Sequence, residues 1–500
     1  MNTNFKFAVS RIRKEYQLQK KLKPFNKYIV LYRAIKACIV QMELPHAWVL
    51  PPTRFLAEEL NLSRTTVNKS YELLQLEKLL IAKTGSGNTV NYDASKYRKS
   101  KVSQVQKDVS AYPKISQKGL SYLQNVTLLN RPHGKNLAFR PGVPPIDVFP
   151  INQWKKLLDT YWRHIKSSGL SYSDSTGVVA LKRSIRNYLN VSRNIKCDYN
   201  QIVVVSGSLQ SLYLITNSLI DENDSVVIEN PLFPNVHSVF KSAQANLIPI
   251  EVDGEGIDVQ AMQEIKGAKI AHVTPSNQYP LGIRMSLKRR QQILQWASAT
   301  KALIVENDYE NEIANSTEST PSIFSLDTED RTIYMGTFNR LLHPSIRLGY
   351  MILPKYLVPT VSALQEHSHR FVTPSVQIVM NQFIEKNYLY NHLRNTIKTA
   401  KERHDMFLSI FEEKCQTMYI QKMSFSSFHV VALFKNKGSV VEEDTIIQTL
   451  KKQHITVFSL SKCYVGKPQK LGLILGYSSV RLTEMKKHID KMILVLNTIT

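Results

Sequence analysis

The sequence predicts a multidomain chain. A small N-terminal module, mainly α with a closing β-hairpin, is followed after a connector by a large α/β domain with a mostly parallel central sheet. Three observations predict this. Five hundred residues exceed one ordinary domain. The net charge of +25 is unevenly spread, with 22 Lys and Arg against 8 Asp and Glu between Met1 and Lys118. Beyond about Ile202, short apolar runs alternate with helical periodicities.

Composition narrows the function classes. Hydrophobic residues make up 43% and charged residues 21%, which fits a globular chain with sizeable cores. No apolar stretch approaches the roughly 20 residues that cross a bilayer, so no membrane partner is expected. Met1 to Ser10 lacks an apolar export core, and the expected location is the cytoplasm. Cys38, Cys197, Cys415 and Cys463 lie far apart and read as free thiols. His367 and His369 come closest to a metal-ligand pair but have no third ligand nearby, so no metal is expected.

Residues 1–24 read as a basic extension and 25–95 as the small module. In the latter, Leu31, Ile35, Cys38 and Ile39 share one helical face. Pro51-Pro52 punctuates the chain, Thr53 is the expected N-cap, and Arg54 to Leu60 forms a short amphipathic helix. Asn61-Leu62-Ser63 makes a turn in which Ser63 caps the next helix, with Val67, Tyr71 and Leu74 inward. Two short helices around a tight turn describe a helix-turn-helix. Its second helix would offer Arg64, Thr65, Thr66, Asn68 and Lys69 to the major groove of double-stranded DNA. Arg54 and Arg64 are the strongest candidates, because a guanidinium bridges phosphates or guanine edges bidentately. Ile81 to Asn91, with a glycine-rich tip at Gly85 and Gly87, reads as a wing that sets Lys83 beside the phosphate backbone. The string from Leu50 to Val67, with Tyr71-Glu-Leu-Leu and Gly85-Ser-Gly87, resembles the GntR-type winged helix.

Residues 96–135 read as a charged, partly flexible linker. Residues 136–500 form the large domain, with a small C-terminal subdomain from about 390. Ile202–Ser206, Ser225–Glu229, Ala268–Val273, Ala302–Glu306 and Thr332–Gly336 are runs of the kind buried in parallel sheets, which places a ligand site at their C-terminal ends. Ser206-Gly207-Ser208 closes one strand and opens a helix, an arrangement that cradles phosphate on backbone N–H groups. Together with Glu229-Asn-Pro231-Leu-Phe, Thr274 to Gly282, Glu306-Asn-Asp-Tyr309 and Gly336 to Tyr350, it resembles the fold-type-I aminotransferase domain. The whole chain resembles the MocR subfamily of GntR regulators. That resemblance implies a PLP-dependent transferase-like fold with a small C-terminal α+β subdomain, and a homodimer.

The departures bear on chemistry. The resemblance implies pyridoxal 5′-phosphate (PLP) held as a Schiff base by a lysine in Gly-Thr-Phe-Ser-Lys. Here the motif is Gly336-Thr337-Phe338-Asn339-Arg340, and a guanidinium cannot form that imine. Asn307 stands where the family's aspartate keeps the pyridine nitrogen protonated, and Asn277 where it usually has histidine. What the resemblance retains is a phosphate cup of Ser206, Gly207, Ser208, Thr337 and Arg347. Tyr309 would meet the ring hydroxyl and Phe233 would stack on the ring, while Arg340 adds positive charge. The expected function is a sequence-specific DNA-binding transcriptional regulator. Its large domain would serve for dimerisation and for sensing a phosphorylated ligand, PLP or similar, bound noncovalently; no catalytic residue is assigned. Two alternatives stay open: a PLP-dependent aminotransferase with an attached DNA-binding module, and a scaffold that keeps a vestigial pocket.

Overall fold

The computed structural model of the protein describes residues 3–22, 26–83, 87–93, 112–126, 138–316, 319–421, 425–436 and 440–499. They divide into two compact units, residues 1–114 and 115–500.

The first unit opens with α1 (Thr3–Leu22), followed by α2 (Lys27–Val40), α3 (Thr53–Leu60), α4 (Arg64–Leu76) and a hairpin of β1 (Leu80–Lys83) and β2 (Gly87–Val90). Residues 1–24, read from charge as an extension, therefore contain a helix. Its Ala8, Val9, Ile12 and Tyr16 join the same core as Leu31, Ile35 and Cys38 of α2 and Val67, Tyr71 and Leu74 of α4. Thr53 is not the N-cap of α3. Pro52 holds that place in extended conformation, without a side-chain cap bond, because consecutive prolines keep the chain extended up to the helix. Ser63 does cap α4, its Oγ accepting from Thr66 N at 3.2 Å. Residues 47–50 run alongside β2, with Leu50 N donating to Asn88 O at 2.8 Å, so the wing is braced on both sides. Gln75 Nε2 ties α4 to the wing through Asn88 Oδ1 at 2.6 Å.

The second unit is built on an eight-stranded sheet in the order β3-β10-β9-β8-β7-β4-β5-β6. Its strands are β3 (Ile202–Val205), β4 (Ser225–Asn230), β5 (Asn246–Asp253), β6 (Gly256–Ile257), β7 (Ala268–Val273), β8 (Leu303–Asn307), β9 (Thr332–Thr337) and β10 (Gly349–Ile352). The central ladders β5-β4-β7-β8-β9 are parallel, while β3, β10 and β6 pair antiparallel. A second, antiparallel sheet is ordered β11-β12-β14-β13, from β11 (Met418–Ile420), β12 (Val430–Phe434), β13 (Phe458–Ser459) and β14 (Gly472–Leu475). It packs with helices Tyr388–Lys414, Val440–Lys452 and Leu482–Ile499 around one apolar core.

Two details depart from a linear division of the chain. Ala138 to Val143 belongs structurally with the C-terminal sheet: Gly476 N donates to Phe139 O at 2.7 Å, and Phe139 is fully buried in that core. Within the span expected as a linker, Gln117–Asn125 is a helix capped by Ser116. It lies against helix Pro234–Ser242, where Ser121 Oγ donates to Lys241 O at 3.2 Å. Contacts through Ser and Tyr leave little apolar period, which is why periodicity missed it. Of that linker, residues 96–111 and 127–135 lie outside the described residues, as does the wing tip at Gly85.

The core position of α1 gives a measurable expectation. Ile12→Ala should lower the stability of the first unit by about 2–4 kcal/mol, read as faster amide exchange across Lys27–Val40 in the full chain. Leu18→Ala, at a side chain 53% exposed, should change it by no more than about 0.5 kcal/mol. Equal effects from both would mean that α1 does not share the core.

Candidate functional site

Two surfaces gather the residues singled out by sequence. On the first unit, α4 divides cleanly: Val67, Ser70, Tyr71 and Leu74 are buried, while Arg64, Thr65 and Lys69 are exposed and Thr66 and Asn68 half-buried. Tyr71 anchors the helix through its hydroxyl, which donates to Pro51 O at 2.8 Å, and Ser70 Oγ donates to Tyr28 O at 2.8 Å. Rotation of α4 is thereby fixed, and with it the set of side chains that faces outward. Arg54, in the first turn of α3, is also exposed. Ser63 is spent on its cap, with Oγ 2.8 Å from Thr66 Oγ1. Lys69 lies over the Tyr28 ring, its Nζ 5.6 Å from the centroid. The backbone of Lys83 closes the wing opposite Gly87, and its side chain lies outside the described residues.

On the second unit, a cavity of about 1020 Å³ opens at the C-terminal ends of β4, β7, β8 and β9. Gly207, Ser208, Phe233, Asn307, Tyr309, Thr337, Arg340 and Arg347 all line it. Ser206 sits at its edge, where its Oγ accepts from Arg347 at 3.3 Å. Asn277 is the exception. Its Oδ1 accepts from Ser426 Oγ at 3.2 Å, which draws it toward the C-terminal subdomain and away from the lining.

The turn after β3 needs its glycine. Gly207 has φ +132°, and an added Cβ would lie 2.4 Å from Asn339 Nδ2. Helix Ser208–Leu219 begins there, and the first N–H groups of a helix have no partners within it. Gln210 turns back to accept from Ser206 N at 2.6 Å, which fixes the turn from inside.

The cavity floor is uncharged around Asn307. Its Nδ2 lies 3.4 Å from His272 Nε2, and burial pushes the His272 imidazole down to about 4, so the ring is neutral near pH 7. Buried Asn307 Oδ1 and Tyr309 Oη have no partner among the described residues. Orphaned polar atoms at a cavity wall fit a ligand that completes them. Burial also raises Glu229, to about 7, against the Thr274 hydroxyl and amide at 2.5 and 3.1 Å.

Arg340 reaches the cavity across Gly142, whose φ is +72° and whose added Cβ would fall 1.3 Å from Arg340 Nη1. Its guanidinium lies 5.8 Å from the Tyr309 ring centroid and 3.7 Å from Glu310 Oε1. No lysine lines the cavity among the described residues. The phosphate and ring contacts of a PLP-like molecule therefore have residues to meet them, and its imine does not. Sequence reasoning gave no role to Arg140, Glu229, His272, Thr274, Tyr279 or Asn339, which complete the wall. Most lie within or next to motifs it quoted, but only the folded loops turn them inward.

Among the described residues no helix is long and apolar enough to cross a membrane, and no cluster of His, Cys, Asp or Glu is arranged to hold a metal. All four cysteines are free.

Residues 145–487 match the family described as aminotransferase class I and II, and residues 27–90 match bacterial regulatory proteins of the gntR family. The chain is 29% identical over 465 residues to the probable rhizopine catabolism regulatory protein MocR of Rhizobium meliloti, covering 92% of each chain. It is 23% identical over 430 residues to the HTH-type pyridoxine biosynthesis transcriptional regulator PdxR of Corynebacterium glutamicum, covering 86% of this chain and 87% of that one. The structure of kynurenine aminotransferase from Pyrococcus horikoshii matches with a TM-score of 0.68 at 22% identity, over 78% of this chain and 98% of that one, a likeness of fold. The chain thus belongs to the aminotransferase class I and II family, with a GntR-type winged helix as its N-terminal module.

Proposed function

We propose that the protein is a cytoplasmic, homodimeric, sequence-specific DNA-binding transcriptional regulator. Its aminotransferase-like unit dimerises the chain and binds a phosphorylated ligand, PLP or a similar molecule, noncovalently. The observation that carries the DNA half is the division of α4 into a locked apolar face and an outward face bearing Arg64, Thr65 and Lys69. Arg54 and the wing lysine Lys83 would add phosphate contacts, and Thr66 and Asn68 would meet base edges. The regulatory names of the relatives that span nearly the whole chain support this reading.

The ligand half rests on a cavity lined by Gly207 and Ser208 at a helix start and by Arg340 and Arg347, while no lysine lines it among the described residues. On this reading Arg340 takes the place of the family's Schiff-base lysine and Asn307 that of its aspartate. Ser206 to Ser208, Thr337 and Arg347 hold the phosphate. Phe233 and Tyr309 border the ring, and neutral Asn307 offers it an amide instead of a carboxylate. When bound in an active aminotransferase, PLP supplies an electron sink; here the chain's residues would bind and orient it and exclude water. The competing reading, an aminotransferase with an attached DNA-binding module, draws on the fold likeness. It requires an amine within reach of the cavity.

Two measurements test the proposal. Arg64→Ala should weaken operator binding by about 1–3 kcal/mol in a gel-shift titration at fixed salt, with the dimer unchanged by size-exclusion chromatography. Unchanged affinity would remove Arg64 from the DNA surface. Purified protein with added PLP should give no covalent adduct by intact mass after borohydride reduction. A reduced adduct on one lysine would reinstate the enzyme reading around that residue.

A further inference from the structure

α1 carries charge that its own packing does not use. Its twenty residues, Thr3–Leu22, hold six lysines and arginines and one glutamate. Ala8, Val9, Ile12 and Tyr16 turn into the core of the first unit, and the lysines lie on the opposite side. Lys6, Arg13 and Lys20 recur every seven residues, as do Lys14 and Lys21, so each set runs as a row along the helix. Lys6, Lys14, Lys20 and Lys21 are all exposed, and among the described residues they form no hydrogen bond or ion pair. Glu15, the acidic residue of α1, accepts from Gln19 Nε2 at 2.8 Å. Helix stability does not account for this pattern. Lys20 and Lys21 suit the C-terminal end of the helix dipole, but Lys6 stands in the first turn, where a cation is disfavoured and no acidic residue offsets it.

α1 lies beside the helix-turn-helix. The Phe5 ring is 6.5 Å from that of Phe55, the neighbour of exposed Arg54 at the start of α3. Arg13 Nη2 donates to Glu59 Oε2 at 2.9 Å and to Glu59 O at 2.5 Å, four residues before Ser63, the cap of α4. The row of Lys6, Arg13 and Lys20 therefore follows the side of α1 that meets α3. From Lys6 to Lys20 the helix rises about 21 Å, close to the axial length of about six base pairs. All of α1 precedes residue 27, where the match to the gntR family begins.

We propose that α1 is a further DNA-contacting element, whose lysines bind the phosphate backbone of duplex DNA flanking the segment that α4 meets. A phosphate backbone is a regular line of negative charge without base identity, and a row of ammonium groups matches it and displaces its counterions. This inference rests on the DNA-binding reading above and extends it to α1.

The test uses the full chain and a mixed-sequence duplex of about 40 base pairs, because backbone contacts need no particular sequence. Fluorescence anisotropy follows binding between about 50 and 200 mM potassium chloride. Changing Lys6→Gln, Lys14→Gln, Lys20→Gln and Lys21→Gln together should weaken binding at least about tenfold at about 100 mM salt. The fall of log K with log salt should become shallower by about 2–4. Lys6→Gln with Lys14→Gln alone should give about half of that change in slope. A matched variant, Lys451→Gln, Lys452→Gln, Lys486→Gln and Lys487→Gln, removes the same charge from exposed helical positions of the large unit. It should bind within about twofold of the unaltered chain and with the same slope. Unchanged amide exchange across Lys27–Val40 in the α1 variants reports an intact first unit. If the α1 variant and the matched variant behave alike, α1 is not a DNA surface and its lysines serve another partner or none, while the DNA-binding reading stands. If the unaltered chain does not bind the duplex at about 50 mM salt, that reading falls and this one with it.

Discussion

The ion pair of Arg193 and Asp308 holds the cavity-bearing face of the large unit together. Both side chains are essentially excluded from solvent and meet at 2.8 Å. Asp308 also accepts from Tyr334 Oη at 2.6 Å, which ties β9 to the loop after β8. Arg193 reaches three further ways, to Thr320 O at 2.9 Å, to Ser276 Oγ at 3.1 Å and, through its helix Val179–Arg193, to the apolar layer over β3. One residue earlier than Asn307, Glu306 accepts from Ile323 N at 2.9 Å and Phe324 N at 2.8 Å and faces Arg290 at 3.9 Å. Asn307 is thus clamped between two buried carboxylates, each facing an arginine. Removing one partner from a buried pair of this kind costs about 3–5 kcal/mol, because the other charge is left in a medium that cannot solvate it. Asn307, Tyr309 and Glu310 on one side and the Ser276 loop on the other therefore take their places together.

What the sequence disclosed follows from where its signals are strong. All five apolar runs are strands of the large sheet, legible because strands covered on both faces are apolar almost without interruption, and β3, β8 and β9 are buried at every position; Ile202–Val205, expected in a parallel ladder, pairs antiparallel with β10 instead. Strand β5, next to the short edge strand β6, was not legible, since half of Asn246–Asp253 faces solvent and Pro249 interrupts it. Nor was α1. Its lysines and arginines dominate the composition, while the apolar stripe of Ala8, Val9, Ile12 and Tyr16 is narrow. The winged helix was legible to its turn because Asn61, in left-handed conformation at the C-cap of α3, and Ser63, capping α4, perform local tasks that only a few residue types do well.

The cavity was legible in its motifs and opaque in its walls. Gly207, Thr337 and Arg340 announce themselves in contiguous strings, whereas Arg140 reaches the same space from a segment far from them in sequence. Arg140 arrives there because Phe139, its neighbour, is buried in the C-terminal core and is fixed by Gly476 N. A tertiary anchor of that kind has no local signature. Asn277 shows the converse: its motif placed it in the site, and Ser426 holds it elsewhere.

Binding and chemistry make separate demands on a cavity of this kind. Holding an anionic aromatic ligand needs N–H donors, guanidiniums and ring contacts, and Gly207, Arg347 and Phe233 are of those kinds. Turning such a ligand over needs two further things, a nucleophilic amine and a fixed charge beside the ring nitrogen. On the reading proposed, Arg340 and Asn307 occupy those positions. Arg340 keeps the charge of a lysine while removing its nucleophilicity, since a guanidinium stays protonated at physiological pH. Asn307 keeps the hydrogen-bonding shape of an aspartate while removing its charge, beside a His272 that burial holds neutral. On that reading each replacement would preserve contact and remove reactivity. A ligand held by such a site leaves as it arrived, so occupancy follows its free concentration instead of being consumed. Reversible occupancy is what a regulator that reports a metabolite level requires, because a ligand shifts an equilibrium only through its binding free energy.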